Sequence, residues 1–412
     1  MLSVLIVILI FVAIAVRQVG RLRLEVWSVM LAGAILVLLT GEIAPGKAWT
    51  AIDWDVLVFL AGMFVVGEGL YRSGFLAAHA ARLFAGANTT GKLVARIILI
   101  SGLLSALLMN DTLAIIATPL MLHFSRVTRV DVRLLLLALA FSITTGSVLS
   151  PVGNPQNLLV AVQSGMPDAF GTFLTGLAVP TGVSMVLVWL VLRIGWRDTF
   201  HQQFALERQG HIADRKLAHL SVLGVGLAGL AIIVRMVAAW MGEGNLFPLA
   251  LVAVVAALPV LLFSDKRFLV VKHADWRTLV FFAAMFVVMQ SVWESGFFQD
   301  LMQRTGLDLG SVEGLMGGGI LISQLVSNVP FVALILPALG QAGAGTAQYL
   351  ALAAGSTIAG NLLILGAASN IIVLQNAERH GAGFSFWEFA RVGIPLTLIQ
   401  AAVYWVWCSL VL

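Results

Sequence analysis

Two stretches of the chain, 222 residues apart, share one pattern. Residues 53–75 read DWDVLVFLAGMFVVGEGLYRSGF and residues 275–297 read DWRTLVFFAAMFVVMQSVWESGF, and the two are identical at 13 of 23 positions. Chance similarity between apolar helices would give several Val or Leu matches, but not a shared Asp-Trp start and a shared Ser-Gly-Phe end. We therefore interpret the chain as an internal duplication.

The composition places both copies in a membrane. Of 412 residues, 24 are basic and 20 are acidic, so only 11% are charged, whereas 60% are hydrophobic and the net charge is +4. Soluble domains carry roughly 25% charged residues, and so sparsely charged a chain cannot cover a surface that faces water. Soluble enzymes, nucleic-acid binders and disordered scaffolds are excluded. An all-α polytopic membrane protein remains.

No pattern in the sequence is typical of a cofactor, nucleotide or metal site. The single cysteine, Cys408, excludes a disulfide within one chain and a multi-thiolate metal site, and we expect it to face lipid. No glycine-rich phosphate loop opens a helix, and no His, Cys and Asp cluster has the spacing of metal ligands. The chain is therefore predicted not to be an enzyme and to bind neither cofactor nor metal.

Apolar stretches long enough to cross ~30 Å of hydrocarbon predict about ten transmembrane helices. They lie at residues 2–17, 24–41, 54–71, 131–164, 171–195, 218–241, 246–264, 276–293, 347–377 and 388–411. Polar residues and proline interrupt two further apolar segments, 94–123 and 312–340, which we interpret as re-entrant helical hairpins. The crossings at 131–164 and 347–377 contain Gly and Asn and are predicted to be broken helices.

The distribution of charge supports the two hairpins and sets the orientation. If the N-terminus lies outside, 21 of the 24 basic residues fall in the cytoplasmic segments that connect the spans, as the positive-inside rule requires. The exceptions are Lys47, Arg235 and Arg304. Basic residues follow the first apolar run rather than precede it, so we interpret that run as a retained span and not as a signal peptide. We expect a multi-pass protein of the plasma (inner) membrane with its N- and C-termini outside.

Five crossings in each half place the second copy upside down relative to the first. The first inverted repeat is predicted at 1–195, with hairpin 94–123 and broken helix 131–164. A polar cytoplasmic linker at 196–217 separates it from the second repeat at 218–412, with hairpin 312–340 and broken helix 347–377. Inverted repeats are typical of secondary transporters, whose halves open a midplane site to each side in turn. A channel does not need this symmetry.

The repeat pairs the polar interruptions of the two halves. The hairpin sequence Met109-Asn110-Asp111-Thr112 aligns with Ser327-Asn328-Val329-Pro330 at an offset of 218, and the break 153–157 aligns with 366–370 at an offset of 213. Backbone broken at membrane depth is tolerated only where it is buried in protein or lines a cavity, so we expect the four stretches to meet at one midplane site. The candidate binding residues are Asn110, Asp111, Thr112, Gly153, Asn154, Asn157, Ser327, Asn328, Gly366, Ser369 and Asn370.

Asp111 is the candidate for proton coupling. An ionisable group at membrane depth costs about 2.5 to 3.5 kcal/mol on the insertion scale, and such a group is a functional candidate by default. The second half has Val329 at the equivalent position, so only the first repeat carries a carboxylate at its hairpin tip. The alternative is a structural carboxylate satisfied by hairpin N–H groups. Hydroxyls that precede the breaks, among them Thr144 and Thr357, could add ligands or join helices.

These motifs resemble the ion transporter superfamily, which includes bacterial arsenite-efflux permeases, sodium/proton antiporters of the D type and divalent anion/sodium symporters. The resemblance spans nearly the whole chain, and Asn110-Asp111 resembles the Asn-Asp pair of the arsenite-permease branch. The dicarboxylate branch usually carries Ser-Asn-Thr at both hairpin tips. Only Ser327-Asn328 approaches that pattern, and Val329 departs from it by lacking a hydroxyl.

The resemblance implies secondary active transport, and proton-coupled efflux of arsenite or antimonite is the leading hypothesis. A dianion would approach Asp111 with no Lys or Arg among the broken segments to offset the repulsion, whereas a neutral metalloid hydroxide meets no such barrier. Sodium-coupled transport of a small anion, such as a dicarboxylate or sulfate, and Na⁺/H⁺ antiport remain alternatives. The expected partners are a small inorganic substrate, H⁺ or Na⁺ and the lipid bilayer, with no nucleic acid. A homodimer and a separate energising ATPase subunit are further partner hypotheses.

Overall fold

A computed structural model describes most of the chain and is almost entirely helical. The described residues are 2–16, 18–19, 22–23, 25–75, 78–79, 83–84, 86–204, 212–243, 246–297, 300, 310–378 and 380–412. Within these ranges there are eighteen α-helices, two short 3-10 turns and two strands of two residues each, Gln18–Val19 and Leu22–Arg23. Six of the described helices are long and apolar enough to cross a membrane. The predicted all-α membrane fold is confirmed.

The nine helices of the first half run from α1 to α9. They are α1 (Leu2–Val16), α2 (Val26–Leu39), α3 (Pro45–Ala51), α4 (Trp54–Arg72), α5 (Thr90–Leu107), α6 (Asn110–Thr128), α7 (Val132–Ser147), α8 (Pro155–Gln163) and α9 (Ala169–Gly195). Helices α5 and α6 form the first hairpin and extend beyond its predicted bounds at both ends. Helix α5 starts early because Thr89 caps it, accepting a hydrogen bond from the backbone N–H of Lys92 at 3.3 Å.

The nine helices of the second half follow in the same order. They are α10 (Arg215–Trp240), α11 (Leu249–Phe263), α12 (Arg267–His273), α13 (Trp276–Glu294), α14 (Val312–Val326), α15 (Asn328–Gln341), α16 (Thr346–Ile358), α17 (Ala368–Glu378) and α18 (Phe386–Leu410). The two 3-10 turns, Ala359–Asn361 and Ile364–Gly366, separate α16 from α17. Helix α10 begins inside the predicted linker because the Asp214 carboxylate accepts from the backbone N–H of Leu217 at 2.9 Å.

The repeated Asp-Trp and Ser-Gly-Phe motifs mark the two ends of α4 and α13. Asp53 and Asp275 each accept a hydrogen bond at 3.1 Å from the backbone N–H three residues further on, and so cap the two helices. At the other end, Gly74 and Gly296 have φ of +73° and +72°. A glycine adopts this left-handed conformation without a steric penalty, and it ends a helix sharply. The duplicated sequence therefore encodes one helix with both of its terminators.

The two halves are interleaved. Helix α2 packs on α13, and its repeat counterpart α11 packs on α4. In the same way, α6 of the first hairpin lies against α17, and α15 of the second hairpin lies against α8. The second arm of each hairpin thus contacts the broken helix of the other half. This exchange brings both hairpin tips and both breaks to the centre of the molecule.

Close helix packing depends on small residues where α7 crosses α5. A Cβ on Gly146 of α7 would lie 2.2 Å from the backbone oxygen of Gly102 of α5, so only glycine permits this approach. On α18, Cys408 is 2% exposed and packs in the same core as Tyr404. The expectation that Cys408 faces lipid is therefore wrong, because the face of α18 that carries it is turned towards the protein interior.

Candidate functional site

A cavity of about 210 Å³ lies where both hairpin tips and both breaks come together. It is lined by Trp27, Asn110, Asp111, Pro155, Gln156, Arg277, Thr278, Phe281, Phe282, Ser327, Asn328, Val329, Ala367 and Ala368. Each of the four interrupted stretches contributes at least two of these residues. The cavity is therefore built from both repeats, as the inverted symmetry requires.

Four helix N-termini point towards this cavity. Helices α6 and α15 begin at Asn110 and Asn328, and α8 and α17 begin at Pro155 and Ala368. All four residues line the cavity. Because a helix N-terminus carries a partial positive charge of roughly half a unit, with backbone N–H groups that lack intrahelical partners, the cavity offers donors to the oxygen atoms of a ligand.

The first hairpin tip places a carboxylate among these donors. The Asn110 side-chain oxygen accepts a hydrogen bond from the backbone N–H of Asp111 at 2.9 Å, and the Asn110 backbone N–H donates to the carbonyl of Gly153 at 2.9 Å. The Asp111 carboxylate itself accepts no hydrogen bond from the residues that the structure describes. Hairpin N–H groups therefore do not satisfy it, contrary to the structural alternative. The carboxylate is available to a ligand or a proton.

The second hairpin tip is built around an unusual backbone conformation. Ser327 has φ of +70° and ψ of 157°, which a residue with a side chain rarely adopts, and its hydroxyl does not cap α15. Strain of this kind costs on the order of 1–3 kcal/mol and is concentrated at functional sites. The following residues, Asn328 and Val329, line the cavity opposite Asn110 and Asp111. The two tips thus differ both in backbone conformation and in the carboxylate that Asp111 supplies and Val329 does not.

The structure brings some of the predicted site residues to the cavity wall and places others behind it. Asn110, Asp111, Ser327 and Asn328 line the cavity. The other residues of the breaks, Gly153, Asn154, Asn157, Gly366, Ser369 and Asn370, are buried one layer further back. Thr112 turns away, packs against Gly67 and lines a separate cavity of about 60 Å³.

In the first break, the two asparagines hold the backbone in place. The Asn154 side-chain nitrogen donates to Ser147 Oγ at 3.0 Å and to Thr357 Oγ1 at 3.2 Å, and its oxygen accepts from the backbone N–H of Asn157 at 2.8 Å. Thr357 in turn donates to the Asn157 side-chain oxygen at 3.1 Å. Since Thr357 belongs to α16, this network joins the first break to the second half.

In the second break and the second hairpin beside it, several side-chain oxygen atoms remain unpartnered. The side-chain nitrogens of Asn370 and Gln324 donate to backbone carbonyls in 359–361 at 2.6 and 2.8 Å. In the described part of the chain, no donor reaches Asn370 Oδ1, Asn328 Oδ1, Gln324 Oε1 or Ser369 Oγ, although all four atoms are buried. The two breaks are therefore chemically different, with unused oxygen acceptors only in the second.

The sequence did not indicate the contribution of α2 and α13 to the cavity. Trp27 comes from α2, and Arg277, Thr278, Phe281 and Phe282 come from the first turns of α13. Arg277 contradicts the expectation that no basic residue lies among the broken segments. Its guanidinium is paired with the carboxylate of Glu25 at 3.1 Å. The repeated Asp-Trp motif located the start of α13, but not the face that it presents to the cavity.

Comparison with known proteins agrees with this architecture. Residues 5–353 match the family model CitMHS, described as citrate transporter. An uncharacterized transporter of Mycobacterium bovis is 30% identical over 377 residues, which cover 86% of this chain and 85% of that protein. The silicon efflux transporter LSI3 of Oryza sativa subsp. japonica is 28% identical over 447 residues, covering 90% of each chain.

A solved structure shares the fold along almost the whole chain. The YdaH transporter of Alcanivorax borkumensis superposes with a TM-score of 0.60 at 17% identity, covering 99% of this chain and 96% of that one. The family model, the relatives and the fold all agree with the predicted transporter class. The chain therefore belongs to the CitMHS citrate transporter family, and it is a secondary transporter embedded in a membrane rather than an enzyme.

Proposed function

We propose that this protein exports arsenite or antimonite, as neutral metalloid hydroxides, across the plasma membrane in exchange for protons. The observation that carries the proposal is the Asp111 carboxylate, which lines the shared cavity and accepts no hydrogen bond from the described residues. A proton carrier in a secondary transporter needs such a group, accessible to the ligand and at the junction of the two repeats.

The hydrogen-bonding character of the cavity suits a small polyhydroxyl ligand. A neutral metalloid hydroxide has O–H groups that donate and oxygen atoms that accept. The Asp111 carboxylate accepts from the hydroxyls, while backbone N–H groups at the start of α15 donate to the oxygens. Aromatic side chains, Phe281 and Phe282, close the remaining side of the cavity. Such a site holds a neutral ligand without placing an extra charge beside Asp111.

The charges around the cavity favour a neutral ligand over a polyanion. Arg277 is the one basic residue among the described residues that line the cavity, and the Glu25 carboxylate already pairs with it. A polyanion would meet Asp111 with only partial charges from helix N-termini to offset the repulsion. The relative LSI3 is named a silicon efflux transporter. Near neutral pH silicon and trivalent arsenic are both dissolved chiefly as uncharged hydroxides, so that name supports this ligand class.

In the proposed cycle, Asp111 binds either a proton or the hydroxide ligand. Protonation from the outside removes the charge, releases the ligand and allows the empty site to return across the membrane. Loss of the proton on the cytoplasmic side restores the carboxylate for the next ligand. Coupling then follows because the proton and the ligand compete for the same carboxylate, and no separate energising subunit is needed for exchange.

The outside position of both termini, a homodimer and an associated ATPase subunit remain predictions.

Ligand-dependent stabilisation tests the substrate class directly. The purified protein is heated with arsenite, antimonite, silicic acid, citrate, succinate, sulfate or Na⁺ at pH 6 and pH 8. We expect a higher melting temperature with the neutral hydroxides, larger at pH 8, because a ligand stabilises the state that it binds and protonated Asp111 competes with it. Stabilisation by citrate or sulfate alone would contradict the proposal.

A second function, sodium-coupled transport of a small anion such as citrate, is favoured by the unpartnered oxygen atoms of the second hairpin and the second break. Asn328 Oδ1, Asn370 Oδ1, Gln324 Oε1 and Ser369 Oγ are the oxygen ligands that a hard cation prefers, and the family description names citrate. Uptake into proteoliposomes that requires Na⁺ and is unaffected by a protonophore would select this function. Na⁺ flux that depends on pH but not on any of these substrates would instead indicate Na⁺/H⁺ antiport.

A further inference from the structure

A second cavity, separate from the site described above, opens sideways between α5 and α9. It has a volume of about 390 Å³ and is lined mainly by apolar groups, including Leu99 and Leu103 of α5 and Gly182 and Val186 of α9. Leu99, Leu103 and Val186 are 57%, 53% and 57% exposed. In a membrane-spanning chain, apolar side chains exposed at this depth face lipid hydrocarbon. The groove is therefore open to the bilayer and not to water.

Small residues give this groove its depth. The close approach of Gly146 to Gly102 draws α7 against α5 and forms the floor. On the opposite wall, a Cβ placed on Gly182 would meet no atom within 4 Å. A larger side chain at this position would therefore project into the groove rather than into the protein. The space is available to a flexible chain of methylene groups.

One end of the groove carries a tryptophan and two cationic side chains. Trp189 lines the groove, and its indole N–H donates to the carbonyl of Gly91 at 3.3 Å. The guanidinium of Arg193 lies 5.0 Å from the centre of the Trp189 ring. Lys92, next to Gly91, donates to the side-chain oxygen of Asn88 at 2.9 Å. Neither cation pairs with a carboxylate in the described part of the chain.

The length of the groove matches one leaflet of a bilayer. From Lys92 to Leu103, helix α5 rises about 16 Å at 1.5 Å per residue. Half of a hydrocarbon core of ~30 Å is about 15 Å. A lipid whose phosphate contacts Lys92 and Arg193 would therefore place its acyl chain along the groove as far as Leu103.

We propose that this groove is a binding site for one anionic phospholipid. The two cations bind the negatively charged headgroup, Trp189 sits at the headgroup boundary as tryptophan does in membrane proteins, and the acyl chain fills the groove between α5 and α9. The end with the cations is the one that the charge distribution predicts to face the cytoplasm, where anionic lipids attract basic residues. The occupant is a lipid of that leaflet, selected by its net charge.

Native mass spectrometry tests the site on full-length protein in mixed micelles with dioleoyl phosphatidylglycerol or dioleoyl phosphatidylcholine. We expect wild-type protein to retain one phosphatidylglycerol with at least fivefold preference, and to lose about fivefold affinity for each cation neutralised in Arg193→Gln and Lys92→Gln. Arg267→Gln is the matched control, because Arg267 also lies over an aromatic ring, that of Phe268 at 5.2 Å, but does not belong to the groove between α5 and α9. Its lipid preference should equal that of the wild type.

The apolar part of the site is tested with Gly182→Leu, which should lower retention of phosphatidylglycerol while leaving the fold intact. Equal retention of both lipids by the wild type would overturn the proposal, and so would an unchanged preference in the Arg193→Gln, Lys92→Gln double variant. A dimer without bound lipid that Gly182→Leu converts to monomer would also overturn it, since a second copy of the chain would then cover the groove.

Discussion

The hydrogen bond between Thr357 and the first break gives the sharpest test of how the halves are joined. Thr357 is fully buried, donates to the Asn157 side-chain oxygen at 3.1 Å and accepts from Asn154 at 3.2 Å. Thr357→Val keeps the shape of the side chain and removes both interactions, together with a longer hydrogen bond that Thr357 Oγ1 accepts from the Gln156 side-chain nitrogen at 3.4 Å. Asn154 retains its bond to Ser147, but the buried oxygen of Asn157 is left without a donor. Leaving such an acceptor unsatisfied costs about 1–3 kcal/mol.

The repeat supplies a matched control for this variant. At the offset of 213 that relates the two breaks, Thr357 corresponds to Thr144, which is 1% exposed and whose hydroxyl has no partner in the described residues. Thr144→Val should therefore leave stability unchanged or raise it slightly, since it removes an unsatisfied polar atom. Thr357→Val should lower the free energy of unfolding by about 2 kcal/mol, roughly a 30-fold change in the ratio of folded to unfolded protein.

Reversible unfolding in mixed micelles with increasing sodium dodecyl sulfate, followed by tryptophan fluorescence, measures both variants. Equal losses for Thr357→Val and Thr144→Val would show that the cross-repeat hydrogen bond contributes nothing specific. A Thr357→Val protein as stable as the wild type would refute the reasoning altogether.

Three further predictions concern packing, charge and pH. Gly146→Ala should lower stability by about 1–3 kcal/mol through overpacking against Gly102. Gly226→Ala is the control and should not lower stability, because no atom lies near the added Cβ. Equal stability of the two variants would contradict the close approach of Gly146 to Gly102. Arg277→Gln should leave the KM for arsenite within about twofold, because the ligand is uncharged; a tenfold rise, about 1.4 kcal/mol, would indicate an anion. The backbone N–H of Leu217 and the ammonium of Lys266 lower the pKa of Asp214, so its contribution to stability is present above the unfolded pKa of about 3.9 and is lost as pH falls through the lower folded value. Asp214→Asn should cost about 0.5 kcal/mol at pH 7 and less near pH 2, as measured by unfolding at both pH values.

Local signals in the sequence predicted much of the fold. Side-chain caps such as Asp53 and Asp275 define helix starts through bonds to residues three positions away, and such short-range chemistry is visible in a linear pattern. The polar interruptions were visible because an apolar span makes any Asn or Asp stand out. The repeat then paired them, since the offsets of 218 for the hairpin tips and 213 for the breaks are close to the 222 that relates the duplicated helices.

The composition of the cavity wall was harder to predict because it depends on how distant helices pack. Asn154 and Asn157 were expected to bind a ligand, but their side chains are used by Ser147 and Thr357, and Thr357 lies about 200 residues further along the chain. Arg277 reaches the cavity only because α13 packs against α2. Neither contact follows from periodicity, since each depends on which face of a helix the other half covers.

The number of protons moved with each arsenite molecule tests the central claim most directly. Proteoliposomes loaded with a pH-sensitive dye receive radiolabelled arsenite, and both fluxes are recorded together for wild-type and Asp111→Asn protein. The account predicts that the wild type moves protons opposite to arsenite, whereas Asp111→Asn exchanges arsenite for arsenite without proton movement and ignores an imposed pH gradient. Proton movement coupled to arsenite in Asp111→Asn at the wild-type ratio would contradict the role of this carboxylate.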